Sequence, residues 1–373
     1  AGQNYITCAT GGRVQLNFNG NNKLQTTNTG IDVTGEVAAT QDYPNIRPTL
    51  DINFSASKAL DPRIKFYRNS TATSINEHGL VSYSGINEPR FDHDVTTRQS
   101  KGLLIEPNLA NWIRYSTNLE GSGWGKNNTT NTLALDVVAP DGTTGSVYEN
   151  MENSSNAYHA LHYSASIPVT SGQYYTISSW VKRGPNYRTD INSGNYQFYC
   201  SRGTGSVATV SISSDFKSII SHSNTVDRSI TLFPNDWVRV TYSFQSNQNN
   251  SSVTPHWLHG NGGSYLGNGT SSVYVWGCQF EQLIYPTSYI PTDKGNVIYR
   301  GAEHCVIDGT DFSDFYNPLE SSVYVDGIMN VPTSYAGQYN ILNVGDSNND
   351  GHGIFRENGT KDVWYHIRNN NST

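Results

Sequence analysis

Apolar and polar residues alternate along most of this chain. Between residues 12 and 20, Val14, Leu16 and Phe18 alternate with polar side chains. This period of two predicts a half-buried strand, and Asn19-Gly20 supplies a turn after it. Two further short strands are predicted at residues 23–27 and 30–37. Strands this short cannot bury a core by themselves, so we expect residues 1–47 to complete their sheets with other chains.

The next segment, residues 48–116, predicts a small β connector module. Leu50, Ile52 and Phe54 alternate with polar residues as in a strand, whereas residues 107–113 favour one or two helical turns. Turn-forming residues at 76–79 predict a hairpin. The remaining strands of the module are predicted at residues 64–66, 73–75, 80–82 and 102–105.

Strand-like stretches then recur at short intervals, with turn residues between them. They are predicted at residues 146–150, 158–167, 174–182, 196–200, 208–212, 229–232, 237–244, 253–258 and 272–280. This spacing predicts one β-sandwich, a jelly roll, over residues 117–292.

The last segment, residues 293–373, predicts the start of a second β-sandwich. Its strands are expected at residues 321–328, 338–344 and 363–368, which are too few for a complete sandwich. The predicted fold class is therefore all-β, with a short N-terminal β-repeat, the connector module, a jelly-roll β-sandwich and part of a second β-sandwich.

Composition supports strands and narrows the function. The chain has 34 Gly and 24 Tyr, and only 15 % of its residues are charged, which suits strands and turns. The formal net charge is −7 and no run of Lys or Arg occurs, so we expect no nucleic-acid binding. No apolar run is long enough to span a bilayer, so no membrane insertion is expected, and the first residues do not form a signal peptide.

Neither the cysteines nor the acidic loops predict a metal site, and we expect no cofactor. Cys8, Cys200, Cys278 and Cys305 lie far apart, with no CxxC and no His at ligand spacing. Two disulfides are one interpretation, and four buried free thiols are the favoured one. The run at 346–351 is similar to a calcium loop, but its acidic spacing is loose and the twelfth-position Glu is missing, which favours a polar hairpin loop.

No catalytic constellation stands out in the sequence. Glu88, Glu106 and Glu281 are isolated, and no pattern marks two carboxyl groups as a facing pair for glycoside hydrolysis. The GxSxG motif of a Ser-His-Asp hydrolase is absent from the sequence. We therefore expect a protein that is not an enzyme.

Asp92, His93 and Asp94 form the most polar cluster. Two carboxylates beside a His can bind a metal or transfer protons, but in a strand the two Asp side chains share one face and His93 points to the other. Three arginines lie nearby in the same segment, which favours buried ion pairing. We therefore predict a structural clasp of these side chains: Arg63, Arg68, Arg90, Asp92 and Asp94.

Aromatic residues give the candidate ligand site. Flat aromatic faces bind sugar rings, helped by hydrogen bonds from polar side chains. Trp180 and Trp276 lie within alternating apolar strands, so we expect them in the core. Trp257 is followed by a loop rich in Gly and Asn, which predicts an exposed aromatic platform. The candidate glycan contacts are Trp257, His256, His259, Tyr265 and Asn261.

Three parts of the sequence resemble bacteriophage tail-fibre and head-spike proteins. Residues 12–35 are similar to a tail-fibre β-repeat, with Gly12, Val14, Leu16, Lys23-Leu24, Thr26-Thr27, Gly30-Ile31, Val33 and Gly35 in the same order. Residues 48–116 carry the strings LDPRI (60–64), STAT (70–73), NEPRFDHD (87–94) and GLLIE (102–106) of these proteins. The third part consists of VYVWGCQFE (273–281) and PTSYIPT (286–292). The sequence departs from the pattern at 107–109, where Pro-Asn-Leu replaces an acidic-Ala-Arg stretch.

This resemblance implies a virion structural fibre or spike protein, located on the phage particle as a tail, neck or head fibre. It implies a homotrimer that attaches to other virion proteins through residues 1–47. The jelly roll would be similar to a carbohydrate-binding module and would attach to the host surface, where it binds glycan, and a concanavalin-like domain would follow it. Two alternatives stay open: a decoration or collar protein that binds only other virion proteins, and a secreted bacterial carbohydrate-binding or carbohydrate-active protein.

Overall fold

The fold consists almost entirely of antiparallel strands. The computed structural model describes residues 6–8, 12–27, 30–34, 48–202, 205–247, 251–293, 295–317, 319–329, 339–346, 350–356 and 363–368. Among these residues the α-helices are α1 (Phe54–Ser57) and α2 (Thr310–Ser313), each a single turn, so the predicted all-β class is confirmed. No helix in the described part of the chain is long and apolar enough to cross a membrane. The chain divides into two compact units, Ala1–Asp51 and Ile52–Thr373.

The first unit is a four-stranded antiparallel sheet of β1 (Ile6–Cys8), β2 (Val14–Phe18), β3 (Asn21–Thr27) and β4 (Gly30–Val33). β2 and β3 confirm the predicted strands, and β4 confirms the first half of the strand predicted at 30–37, of which residues 35–37 lie outside the described residues. β1 is an addition that the pattern does not indicate. Register places Ile6 opposite Leu16, Leu16 opposite Leu24, and Leu24 opposite Val33. Paired residues point to the same side of a sheet, so this row makes one face of the sheet apolar.

The opposite face of this sheet is polar. Gln15 donates from Nε2 to Oε1 of Gln25 at 3.2 Å, and Gln25 donates from Nε2 to Oδ2 of Asp32 at 2.8 Å. On the apolar face the side chains remain open, with Leu16 40 % and Ile31 65 % exposed. As expected for strands this short, the sheet does not bury a core of its own.

The connector module contains six short strands: β5 (Lys65–Tyr67), β6 (Ala72–Ile75), β7 (Val81–Ser84), β8 (Phe91–His93), β9 (Ser100–Leu103) and β10 (Leu109–Asn111). The predicted hairpin is confirmed by the pairing of β6 with β7. Two other predictions are wrong. Residues 50–54 do not form a strand, because Oδ1 of Asn53 accepts a hydrogen bond from the Ala56 amide at 3.1 Å and caps the helical turn α1. Residues 107–113 are not helical, because β10 pairs with a strand far along the chain.

The β-sandwich is confirmed, and its two sheets are both antiparallel. The first sheet has seven strands: β11 (Trp124–Asn127), β15 (Ala160–Tyr163), β16 (Ile167–Val169), β18 (Tyr196–Arg202), β19 (Gly205–Ile212), β20 (Ile219–Ser223) and β23 (Ser251–Leu258). The second sheet has six strands: β12 (Thr129–Ala134), β13 (Val147–Glu152), β17 (Tyr174–Arg183), β21 (Asp227–Leu232), β22 (Val238–Gln245) and β25 (Ser272–Glu281). A small pair, β14 (Asn156–Ala157) with β24 (Tyr265–Leu266), and two 3₁₀ turns, Asn192–Gly194 and His259–Gly262, lie in the loops.

The six-stranded sheet is buried on both faces. Its inner face meets the seven-stranded sheet in the main core, where Ile177 and Val240 pack with Phe198 and Trp257. Its outer face carries Trp180 and Trp276, which form a second core that includes Val81 and Val95 of the connector module. The expected burial of these two tryptophans is confirmed, at 1 % and 0 % exposure. The connector module therefore covers the sandwich on one side.

Residues after the sandwich return to the connector module. β26 (Ile298–Arg300) pairs with β10, and β27 (His304–Val306) pairs with β5. A separate three-stranded sheet follows, formed by β28 (Tyr339–Asp346), β29 (Asp350–Arg356) and β30 (Val363–Arg368). The strand predicted at 321–328 is wrong, since the backbone there has no strand pairing within the described part of the chain and Tyr324 is exposed. Within the run at 346–351, residues 347–349 lie outside the described residues.

Candidate functional site

Trp257 is buried in the sandwich core, which corrects the predicted aromatic platform. Its exposure is 0 %, and its ring packs against Trp124 at 5.2 Å between centroids. Its indole Nε1 donates to Oγ of Ser179 at 2.8 Å, across the space between the two sheets. The reason is strand alternation, because Val253 and Trp257 share the inward face of β23. Trp257 therefore stabilises the sandwich and presents no open face.

The other predicted contacts divide between core and loop. His259 is buried, and its Nε2 lies 3.0 Å from Oδ1 of Asn150. Burial, and then His159, lower the pKa of His259 to about 3. Tyr265 is half-buried, with its ring 4.7 Å from that of His159 and its hydroxyl donating to Glu152. The side chain of Asn261 lies outside the described residues.

His256 is the predicted contact that lies on the open side of the sandwich. Because its neighbour Trp257 points inward, His256 points to the outer face of the seven-stranded sheet. Register places it opposite His162 on β15 and opposite Tyr199 on β18. The ring centroids of His256 and His162 are 5.4 Å apart, and those of His256 and Tyr199 are 5.1 Å apart. A row of three rings thus crosses three adjacent strands.

A cleft of about 430 Å³ opens on this face, and we call it the outer cleft. It is lined by Tyr158, Gln197, Tyr199, Ser201, His256, Leu258 and Gly262. Gln197, Tyr199 and Ser201 alternate on β18 with the inward residues Phe198 and Cys200. Tyrosine rings beside amide, hydroxyl and imidazole groups provide both stacking surfaces and hydrogen-bonding partners.

His256 is held as a neutral ring. Its Nε2 lies 2.9 Å from Oγ of Ser201, which fixes its position at the base of the cleft. Burial, followed by the neighbouring His162, lowers the pKa of His256 to about 4. Burial likewise lowers the pKa of His162. At neutral pH the ring row is therefore uncharged.

Sequence reasoning missed Tyr199, Gln197, Ser201 and the role of His162, although a signal was present. In the segment from Tyr196 to Cys200, apolar and polar side chains alternate. Aligning that alternation with β23 would have placed Trp257 inside and His256 outside. The predicted aromatic platform rests on the size of the Trp257 ring and neglects the direction in which that ring points.

The predicted clasp exists as a buried cluster, but with other carboxylates. We call Arg68, Arg90, Arg300, Glu106 and Glu303 the Arg–Glu cluster. Arg68 Nη1 and Arg90 Nε each donate to Oε1 of Glu303 at 2.7 Å. Oε2 of Glu106 lies 2.9 Å from Nη1 of Arg90 and 3.1 Å from Nη1 of Arg300. Burial alone would raise the pKa of Glu106, but Arg300 and Arg90 bring it down to about 2.

This cluster joins three parts of the second unit. Arg68 and Arg90 belong to the connector module, and Glu303 lies between β26 and β27. Ser288, from the PTSYIPT string, donates from its amide to Oε1 of Glu106 at 2.8 Å. The Arg–Glu cluster therefore holds together the connector module, the sandwich and the strands that return to the connector module.

The remaining predicted members of the clasp have other contacts. Arg63 pairs with Asp61 at 2.8 Å on a partly exposed surface. Asp92 is half-buried and accepts a hydrogen bond from the Ile75 amide at 2.8 Å, and its partial burial raises its pKa. Asp94 caps a surface turn, accepting from the Thr96 and Thr97 amides. The assignment of Arg63, Asp92 and Asp94 to a joint clasp is wrong, because each satisfies its polar groups locally.

The structure bears on two further expectations, the absence of a metal site and the state of the four cysteines. Within the described ranges, no group of three or more His, Cys, Asp or Glu side chains is placed to hold a metal ion. Cys200 and Cys278 are buried free thiols, as favoured, whereas Cys8 and Cys305 are free but exposed. The prediction of four buried thiols is thus wrong for the two that lie in thin, two- to four-stranded sheets.

Comparison with known proteins gives distant structural likeness alone. No protein-family model matches the sequence, and no curated protein matches it. Two modules of a Clostridium thermocellum endo-1,4-β-D-xylanase, CBM22-1 and GH10, match at 12 % identity and a TM-score of 0.29, over 50 % of this chain and 30 % of that one. Tailspike protein 4 of bacteriophage CBA120 matches at 12 % and 0.29, over 46 % and 21 %.

The tripod from the baseplate of bacteriophage Tuc2009 also matches at 12 % identity and a TM-score of 0.29, over 83 % of this chain and 99 % of that one. The chain spans less than a third of the first two matched structures. TM-scores and identities this low carry no information on what this chain binds.

Proposed function

We propose that this protein is a non-enzymatic attachment protein of a phage particle and that its sandwich binds glycan in the outer cleft. The observation that carries the glycan part is the ring row of His162, His256 and Tyr199 on the uncovered face of the seven-stranded sheet. The virion part is supported by the sequence resemblance of residues 48–116 and 273–292 to phage fibre and spike proteins.

The asymmetry of the sandwich supports this location for a ligand. The outer face of the six-stranded sheet is closed by the connector module. On the seven-stranded sheet, by contrast, Tyr158, Gln197, Tyr199 and His256 remain partly exposed around a concave opening. Ligand sites are concave and combine apolar surface with a few convergent polar groups.

Binding without hydrolysis is supported by the composition of the cleft. Its lining consists of Tyr, Gln, Ser, His, Leu and Gly, and includes no carboxyl group. Glycoside hydrolysis uses two carboxyl groups across the scissile bond. Glu106 instead forms a salt bridge within the Arg–Glu cluster, and the buried Glu281 accepts a hydrogen bond from the Thr287 amide.

A glycan array followed by titration calorimetry tests the proposal. We expect the protein to bind at least one immobilised glycan and Tyr199→Ala to weaken that binding about tenfold or more, because the stacking face is lost. Tyr299→Ala is the matched control, since Tyr299 is an exposed tyrosine on β26, outside the cleft. Equal loss in both variants, or no glycan bound at all, would refute the glycan assignment.

We also propose that copies of this chain cover the apolar face of the first unit and form a homotrimer. This face carries Ile6, Leu16, Leu24 and Val33 in one row and no charged side chain among them. A second copy offers a matching apolar face, as in other symmetric assemblies, and the resemblance to tail-fibre repeats favours three copies.

Light scattering after size-exclusion chromatography tests the assembly. Leu16→Asp is expected to give monomers, because it places a charge in the apolar row, whereas Asn17→Asp places the same charge on the opposite, polar face and should leave a trimer. A monomeric parent protein would refute the assembly and favour the decoration-protein alternative. Pull-down of purified virion proteins that requires residues 1–47, without any glycan binding, would also favour that alternative.

A further inference from the structure

The polar groups of the outer cleft carry no formal charge at neutral pH. Tyr158 and Tyr199 are phenols, which are neutral at pH 7 already at their ordinary pKa near 10, and burial raises the pKa of each further, that of Tyr158 to about 12. Gln197 and Ser201 are uncharged in any case, and His256 is kept neutral as described above. A bound ligand therefore meets dipoles and ring faces and no counter-ion.

Charged side chains in the loop around Tyr265 and at the end of β18 do not line the cleft. Arg188 lies over the ring of Tyr265 and forms two hydrogen bonds to Asp190, at 2.9 and 2.6 Å. Glu152 accepts from the Asn268 amide at 2.9 Å and from the Tyr265 hydroxyl. Arg202, at the end of β18, donates to the neutral side-chain oxygen of Asn247 at 3.4 Å and is not one of the cleft-lining residues.

These features bear directly on which glycans the cleft admits. Placing a carboxylate against half-buried rings removes it from water, and without a counter-charge that loss is not repaid. The chain's formal net charge of −7 adds a long-range repulsion of anions. A neutral sugar hydroxyl, in contrast, exchanges water for Gln197, Ser201 or His256 at little cost.

Building on the proposed glycan-binding function, we infer that the outer cleft selects an uncharged sugar unit and rejects sialic and uronic acids. Selection of this kind rests on the absence of a compensating cation, so a single introduced cation reverses it. Gln197 is the position for that change. It lines the cleft from β18, and its hydrogen bond from Nε2 to Oγ of Ser211 on β19, at 3.1 Å, fixes its side chain on this face of the sheet.

The experiment compares matched glycans on the parent protein and on Gln197→Lys. The probes are N-acetyllactosamine with and without terminal sialic acid, and a gluco-oligosaccharide with its glucuronate counterpart. For the parent protein we expect binding of the neutral member of a pair to exceed that of the acidic member by about tenfold or more. Gln197→Lys should shift that ratio towards the acidic member, while Tyr299→Lys, with its cation outside the cleft, should leave it unchanged.

The outcomes separate the two levels of the proposal. If the parent protein prefers the acidic members and Tyr199→Ala abolishes that binding, the charge selection is wrong and the glycan-binding function stands. If Gln197→Lys and Tyr299→Lys change the ratio equally, the selection arises from overall charge and the assignment to the cleft is overturned. If no glycan binds, both the function and the selection fall.

Discussion

The Arg–Glu cluster and the outer cleft are two polar regions of the second unit that differ in accessibility and in charge. In the cluster, Arg68, Arg90 and Glu303 are at most 5 % exposed and face opposite charges. In the cleft, Tyr199 and His256 are partly exposed and uncharged. Charged residues drawn from distant parts of the sequence thus form a structural joint, whereas the alternating Tyr, Gln and Ser of β18 line the open surface.

Charge density in a sequence therefore does not by itself identify a binding surface. Buried charges require partners, and a residue type such as Arg is found inside a protein when a carboxylate compensates it. An open cleft can keep its groups neutral and still recognise a ligand through shape and hydrogen bonds. Four experiments test this contrast between the cluster and the cleft.

Glu303→Ala should strongly lower the stability of the fold. It leaves Arg68 and Arg90 buried without their shared carboxylate, which costs about 3–5 kcal/mol in the free energy of unfolding for a buried pair. Urea denaturation followed by tryptophan fluorescence measures the loss. A change below about 1 kcal/mol would mean that the cluster relaxes or hydrates, and would remove the contrast with the cleft.

Trp257→Ala and His256→Ala separate the two faces of one strand. Trp257 fills the core, so its removal should lower the free energy of unfolding by about 3–5 kcal/mol. His256 lies on the outer face, and its removal should cost about 1 kcal/mol or less while weakening glycan binding. Thermal unfolding together with calorimetric titration checks both. Similar stability losses in the two variants would contradict the assignment of His256 to the open face.

Acid should weaken the two regions in different pH windows. The pKa of His256 falls from 6.5 to about 4 on folding, so the unfolded chain binds the proton more tightly and stability declines as the pH drops from about 6.5 to 4. The pKa of Glu106 falls from 4.5 to about 2, so its contribution is lost between about pH 4.5 and 2.

Denaturation midpoints measured from pH 7 to pH 3 check this order. His256→Gln should flatten the upper window in part, since His259 also titrates low, and Glu106→Gln should flatten the lower one. If His256→Gln left the upper slope unchanged, His256 would not be held neutral in the fold.

Asp92→Asn should have the smallest effect. Asp92 has no arginine partner in the cluster and accepts one hydrogen bond from the Ile75 amide, which an Asn side-chain oxygen accepts equally well. We expect the free energy of unfolding to stay within about 1 kcal/mol of the parent value. A loss as large as that of Glu303→Ala would restore Asp92 to the clasp.

The sequence allowed the sandwich to be predicted because strand alternation is a local signal. Residues 237–244 and 272–280 could be assigned without knowledge of their partners, and they become β22 and β25. Pairing partners are not local. Glu303 lies 235 positions from Arg68, and nothing near either residue indicates the other. For the same reason, the local pattern at residues 107–113 favours a helical turn, whereas pairing with β26 makes β10 a strand.

The cleft could be predicted only in part. Alternation along β23 is a local signal that places His256 and Trp257 on opposite faces, but deciding which face is open requires knowing that the two faces are not equally buried. That asymmetry arises because one face of β23 packs against the six-stranded sheet in the main core, which is a tertiary fact.

The return of β27 to β5 has a mechanical consequence. Lys65 to Tyr67 pair with His304 to Val306, so the chain forms a closed loop that contains the entire sandwich. A pull applied to the chain before β5 and after β27 is then borne by this strand pair and by the Arg–Glu cluster beside it, and the sandwich lies outside the load path. We expect a tethered molecule under tension to keep its outer cleft intact until that short clamp opens.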